Sequence, residues 1–242
     1  MLFSLLAANP FIDAYFESDL FGQAIFIGLF GASLVSWIII FYKLWVIHQA
    51  KRASLRFYAL FAQQRESPLG ITLELGEKEV PNNPFLHLYA LLKKQALDLL
   101  RKNQRLGAKE QGLAYLSGAD IALLESHLFS GIATQRQQLE ASLFILATVI
   151  TLAPFLGLLG TVWGILNSFS TMHLQASSNQ AILGGISLAL TTTVLGLVDA
   201  IPALIGYNYL KDGIRSFNSE MDCFGHELLT SLEMQYRKVE QW

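Results

Sequence analysis

A few side chains carry chemistry inside otherwise apolar stretches of this 242-residue sequence. Thr148, Thr151 and Thr161 place hydroxyls in an uncharged run from Ala141 to Gln180. Ser187 and Thr191–Thr193 do the same between Ala181 and Tyr209, where Asp199 adds a single carboxylate. Hydroxyls and one carboxylate among apolar neighbours can move a proton or an ion, or hydrogen-bond an adjoining helix. They do not suit making or breaking covalent bonds. No GxxxxGK[ST], HExxH or CxxC pattern is present, and no Ser, Cys or Lys has an evident base in a site-like setting. His48, His87, His127, His173 and His226 lack metal-ligand spacing, and Cys223 is alone, so no intrachain disulfide can form. An enzyme, a metal centre and a cofactor site are therefore not expected.

The elements that must position these groups are long helices. The sequence is 52% hydrophobic and 15% charged, against about 25% charged in soluble domains, which places it among membrane proteins. A spanning helix needs about 20 apolar residues. Three stretches meet this: residues 20–47, 139–169 and 181–210. The second and third are rich in small residues. Gly157, Gly160 and Gly164 follow Ala153 at spacings of three and four, so they lie on one side of a helix and let another backbone come close. Gly185, Gly196 and Pro202 mark the third stretch, and Pro154 removes one backbone donor near the start of the second. These glycines and prolines are expected to pack helices together, including copies of the chain through the small faces of the second and third spans.

Residues 1–19 contain Asp13, Glu17 and Asp19 but no Lys or Arg, so they lack the basic start of a signal peptide and read as a short retained segment. Residues 48–138 form a polar, helical region broken at Ser67-Pro68, Gly70, Val80–Pro84 and Gly107. Within it Phe85, Leu88, Leu92, Ala96 and Leu99 make a helical stripe. A second pattern from Lys109 through Leu123, Leu124, His127 and Leu128 is expected to continue unbroken into the second span. Residues 170–180 form a loop. In residues 211–242 the spacing of Ile214, Phe217, Met221, Phe224, Leu228 and Leu232 predicts an amphipathic helix. None of the 17 Lys and Arg residues lies in 1–20 or 170–180. The positive-inside rule then puts the N-terminus outside and the C-terminus in the cytoplasm. Acids are mixed among the bases and aromatics are not interleaved with them, so no nucleic-acid surface is expected.

Leu146–Phe169, LATVITLAPFLGLLGTVWGILNSF, followed by Gly185–Asn208, GISLALTTTVLGLVDAIPALIGYN, resembles the MotA/TolQ/ExbB proton channel family. Three spans with the large polar segment after the first resemble its TolQ and ExbB branches, and SWIII in the first span leans toward TolQ. The resemblance implies an all-α, multi-pass protein of the bacterial inner membrane. It implies a five-fold ring of this chain around paired helices of a single-span TolR- or ExbD-like partner, with a TolA- or TonB-like protein beyond. The partner helix carries the protonatable Asp, and the ring supplies a threonine-bearing lining, which maps onto Thr161 and Thr193. Proton flow would then drive envelope work.

One position departs from the family pattern. Leu188 stands where the third span usually has Glu. Asp199 falls within about 20° of Leu188 and Thr192 around the helix and roughly 16 Å further along it. A carboxylate costs about 2.5–3.5 kcal/mol at the centre of a span and usually faces a protein interior or a water-filled cavity. Asp199 is thus the candidate for the missing carboxylate, assisting proton exit; its alternative is a hydrogen bond that only stabilises packing. For the whole chain, the competing reading is a membrane scaffold without proton conduction.

Overall fold

The computed structural model describes residues 10–64, 67–71, 83–106, 115–174 and 179–237. Among them six helices follow one another: α1 (Pro10–Glu17), α2 (Leu20–Gln63), α3 (Pro84–Leu106), α4 (Gly118–Glu140), α5 (Leu143–Leu174) and α6 (Asn179–Tyr236). Three of the resulting helical stretches are long and apolar enough to cross a membrane. Residues 80–82 of the expected break at Val80–Pro84, the break at Gly107 and residues 175–178 of the loop lie outside the described residues.

Helix starts are set by local chemistry. Asp19 opens α2, its Oδ1 accepting from the Gly22 amide at 3.0 Å. Asn83 opens α3. Its Oδ1 accepts from the Leu86 amide at 3.2 Å and from the Ser54 hydroxyl at 3.1 Å, while its Nδ2 donates to the Ala53 carbonyl. One side chain therefore caps α3 and ties it to α2. Ser117 and Asp120 form a reciprocal capping box at the start of α4.

The helix expected to run unbroken from the polar region into the second span is instead two helices. α4 ends at Glu140, Ala141 is extended (φ −52°, ψ 142°), and Ser142 takes φ 71°. That left-handed conformation closes one helix and restarts another. The other two spans do continue into polar sequence. α2 passes position 47 to Gln63, and α6 extends the third span through the tail to Tyr236.

The contacts separate into two units, Met1–Lys43 with Ser142–Leu210, and Leu44–Ala141 with Lys211–Trp242. In the first, Ile25 and Leu29 of α2 pack with Val149 and Ala153 of α5 and Ala200 of α6. A second cluster joins Ala14 of α1, Phe26 of α2 and Leu188 of α6, so part of the N-terminal segment is a packed helix rather than a tail. Outside these clusters the surface stays apolar: Phe30 is 68% exposed, Phe155 68% and Ile205 65%. Faces of this kind are covered by lipid or by another membrane helix.

The second unit has a core of its own. The tail stripe Ile214, Phe217, Met221, Phe224, Leu228 and Leu232 is fully buried, as are Leu88, Leu92 and Ala96 of α3. Leu100, not Leu99, completes the α3 face. Phe85 lies parallel between two rings of α6, with its centroid 6.0 Å from Phe217 and 4.4 Å from Phe224. At the end of α6 the Leu116 amide donates to the Tyr236 carbonyl at 2.8 Å. Lys51 pairs with Glu220 at 2.6 Å, and the Tyr58 hydroxyl donates to Glu227 at 3.0 Å.

Candidate functional site

The small residues of the second and third spans meet each other inside one chain. α5 and α6 run antiparallel, and their glycines mark successive rungs. A Cβ built on Gly164 would stand 2.6 Å from the Gly185 carbonyl oxygen, and one on Gly185 would stand 2.7 Å from the Gly164 oxygen. A Cβ on Gly160 would lie 2.3 Å from the Thr192 hydroxyl oxygen. One on Gly157 would lie 3.0 Å from the Thr192 carbonyl oxygen, and one on Gly196 2.6 Å from the Ala153 oxygen. At Gly164, Gly185 and Gly196 no side chain fits while the backbones stay where they are; Gly160 is closed by the Thr192 side chain, and Gly157 is tight. Sequence spacing had these faces joining copies of the chain, whereas their immediate partners are each other. Pro154 and Pro202 sit inside α5 and α6, which continue through them.

Thr192 and Thr193 sit along this seam. Thr192 is fully buried and donates to the carbonyls of Leu188 and Ala189, both at 3.0 Å. Thr193 is partly buried; its hydroxyl lies 3.4 Å from the Gly157 carbonyl across the seam and 3.4 Å from Ala189 O. Thr161, partly exposed, donates to the Leu158 carbonyl of its own helix at 2.7 Å. Each of these two hydroxyls thus has a backbone acceptor within reach, and its oxygen lone pairs remain for a water or a partner. Thr148 and Thr151 bond the preceding turn in the same way.

Asp199 is elsewhere. Leu188, Thr192 and Asp199 share a buried stripe of α6, but its members face different neighbours. Leu188 packs with Ala14 and Phe26, Thr192 fills the space left by Gly160, and Asp199 faces α2, with the Ser33 side chain beside its carboxyl group. The Oδ2 atom of Asp199 is buried with no hydrogen-bond partner among the described residues. The structure therefore brings Thr193 to the α5–α6 seam and leaves Asp199 facing α2.

Two contacts escaped the sequence reading. Trp163 donates its indole N–H to both oxygens of Asp19, at 3.0 and 2.9 Å, and stacks at a tilt on Phe21 with centroids 4.5 Å apart. Asp19 thereby satisfies the start of α2 and a tryptophan on α5. Ser33 was the other. A hydroxyl inside an apolar run was its only signal. A separate open groove of about 650 Å³ lies in the second unit over Tyr58, Phe85, Cys223 and Glu227, and none of the candidate residues lines it. No cluster of metal-ligating side chains occurs among the described residues.

Comparison with known proteins gives a consistent picture. A sequence model of the MotA/TolQ/ExbB proton channel family matches residues 93–223. A TolQ protein of the Tol-Pal system from Pseudomonas aeruginosa is 33% identical over 77% of this chain and 76% of its own length. A biopolymer transport protein ExbB from Salmonella typhimurium is 30% identical over 86% of this chain and 80% of its own. The ExbB of Pseudomonas putida is 30% identical over 94% of this chain, and the match spans 65% of that relative's length.

Proposed function

Because the chain belongs to the MotA/TolQ/ExbB proton channel family, we propose that it is the channel subunit of a TolQ/ExbB-type inner-membrane motor, coupling the proton gradient to work on the outer envelope. In this reading it forms a homo-oligomeric ring, five-fold by resemblance. The ring surrounds a single-span TolR- or ExbD-like partner and works with a TolA- or TonB-like protein. The N-terminus is outside and the C-terminus inside. Thr161 and Thr193 line the ring's inner surface, and proton passage is completed by an ionisable group on the partner helix.

The observation that supports this best is the α5–α6 seam. Two helices locked by reciprocal glycine contacts, with Thr193 at the seam and an apolar outer surface, make a stiff hydroxyl-bearing wall. Such a wall suits a stator that must hold its shape while a central helix moves. The alternative, a non-conducting scaffold, is favoured by Leu188, which is packed against Ala14 and Phe26 where the family's Glu would stand. Proton flux into vesicles separates the two. The chain is reconstituted with a single-span partner carrying Asp in its span, and internal pH is followed after a gradient is imposed. Partner-dependent flux that falls at least several-fold in a Thr161→Val/Thr193→Val double variant supports the channel. Assembly with partner but no flux above empty vesicles establishes the scaffold.

A further inference from the structure

Asp199 is the one Asp, Glu, Lys or Arg between Ser142 and Leu210. It is 8% exposed, and its Oδ2 has no partner among the described residues. A buried carboxyl group with an open oxygen is costly to retain unless it binds something, and the smallest thing it binds is a proton. Its neighbour is suited to that. Ser33, on α2, carries a hydroxyl that donates to a carboxylate and accepts from a carboxylic acid, so one pairing serves both states.

We propose that Asp199 is a proton-exchange site between the first and third spanning helices of a single subunit, with Ser33 as its partner and the Ile40–Gly206 contact as its inner seal. The proposal rests on the channel reading but places this site in the subunit's own interior, apart from the α5–α6 seam.

The seal follows from the register. Asp199 meets Ser33, and Gly206, two turns on, meets Ile40 at the same offset, so α2 and α6 run parallel here. A Cβ on Gly206 would stand 2.7 Å from Ile40 Cδ1 and 3.0 Å from its Cγ1, so the isoleucine lies flat on the glycine backbone. That contact lies between Asp199 and the end of the unit, where Tyr42, Lys43, Tyr207 and Tyr209 are the titratable residues of α2 and α6. α5 brings no Asp, Glu, Lys or Arg to the site. At the far end of α2, Asp19 is engaged by Trp163. The exchange is simple: the carboxylate takes one proton to become the acid, Ser33 switches from donor to acceptor, and release reverses both.

Infrared spectroscopy of the chain assembled with its partner in bilayers tests this. The expected result is a protonated-carboxyl band that grows and fades with pH and is missing in Asp199→Asn. Ser33→Ala should shift the frequency of that band, and Ile40→Ala should speed its hydrogen–deuterium exchange several-fold. A band unchanged in assembled Asp199→Asn overturns the proposal. Should Asp199→Asn fail to assemble, Ser33→Ala decides, because it keeps the carboxyl group; an unmoved band then overturns the proposal. Flux in the same vesicles keeps the two readings apart. Wild-type rates in Asp199→Asn overturn the exchange role and leave the channel standing. A band that titrates through Asp199 without flux in the wild type supports the site and overturns the channel.

Discussion

Gly164→Ala and Gly28→Ala make the same chemical change in spanning helices and should have opposite effects. An alanine at Gly164 places Cβ 2.6 Å from the Gly185 carbonyl oxygen and 3.0 Å from the Ala189 amide nitrogen. Both are backbone atoms, so no side chain can swing aside. Bringing the oxygen contact to at least about 3.0 Å separates α5 from α6 by roughly 0.4 Å, and overpacking of this size costs about 1–3 kcal/mol. Alanine also raises helix propensity by about 1 kcal/mol over glycine. The net effect at Gly164 is destabilisation by about 0–2 kcal/mol. A Cβ on Gly28 meets nothing within 4 Å, so only the propensity gain remains, stabilising by up to about 1 kcal/mol. Subtracting one variant from the other cancels propensity and leaves the overpacking cost. Unfolding in detergent or bicelles, followed by steric trapping or SDS titration, measures both. Equal shifts of the same sign would refute the contact between the two backbones as the reason for these glycines.

Two further outcomes concern the second unit. Phe224→Ala removes a 1%-exposed ring that contacts Phe61 and Phe85 at 5.5 and 4.4 Å, and should cost about 3–5 kcal/mol in thermal unfolding monitored by near-UV circular dichroism; a loss below about 1 kcal/mol would mean the stack does not hold the core. Burial pulls the Asp120 carboxyl upward, but the Ser117 amide, the Asn103 side chain, the Ser117 hydroxyl and Lys102 together hold it below the usual carboxylate range. Its contribution to stability is therefore present above about pH 4, the unfolded value, and lost as pH falls through the lower folded value; the stability gap between wild type and Asp120→Ala should close on acidification, and a gap independent of pH would argue against the capping box.

The buried tail of α6 was legible because its apolar residues repeat at three and four, and burial follows that spacing residue by residue. The stripe of α3 was legible except at its end, where Leu99 and Leu100 are adjacent and periodicity cannot choose between them. The start of α4 was legible in principle, since Ser117 and Asp120 have capping-box spacing, but the apolar pattern drew the expected start back to Lys109. The break at Ser142 was not legible. Neither Gly nor Pro marks it, and serine seldom takes the left-handed conformation found there. At the candidate site, sequence found Asp199 and the hydroxyls because polar groups stand out in apolar runs. It could not say which helix each one faces. Thr192 and Asp199 share a stripe, yet one meets a glycine of α5 and the other a serine of α2, because three helices meet around α6. The Asp19–Trp163 contact joins residues 144 positions apart, a separation at which no local pattern applies.

The three parallel rings of the second unit act as a detent. Phe217 and Phe224 are two turns apart on α6, and Phe85 is held between them with interplanar angles of 2° and 3°. Axial slip of α6 along α3 would drive the face of Phe85 into the face of Phe217 or Phe224, which stand about 10 Å apart on α6 at 1.5 Å per residue. Sliding of α6 past α3 is therefore opposed by the overlap of three aromatic faces as well as by the loss of buried contacts.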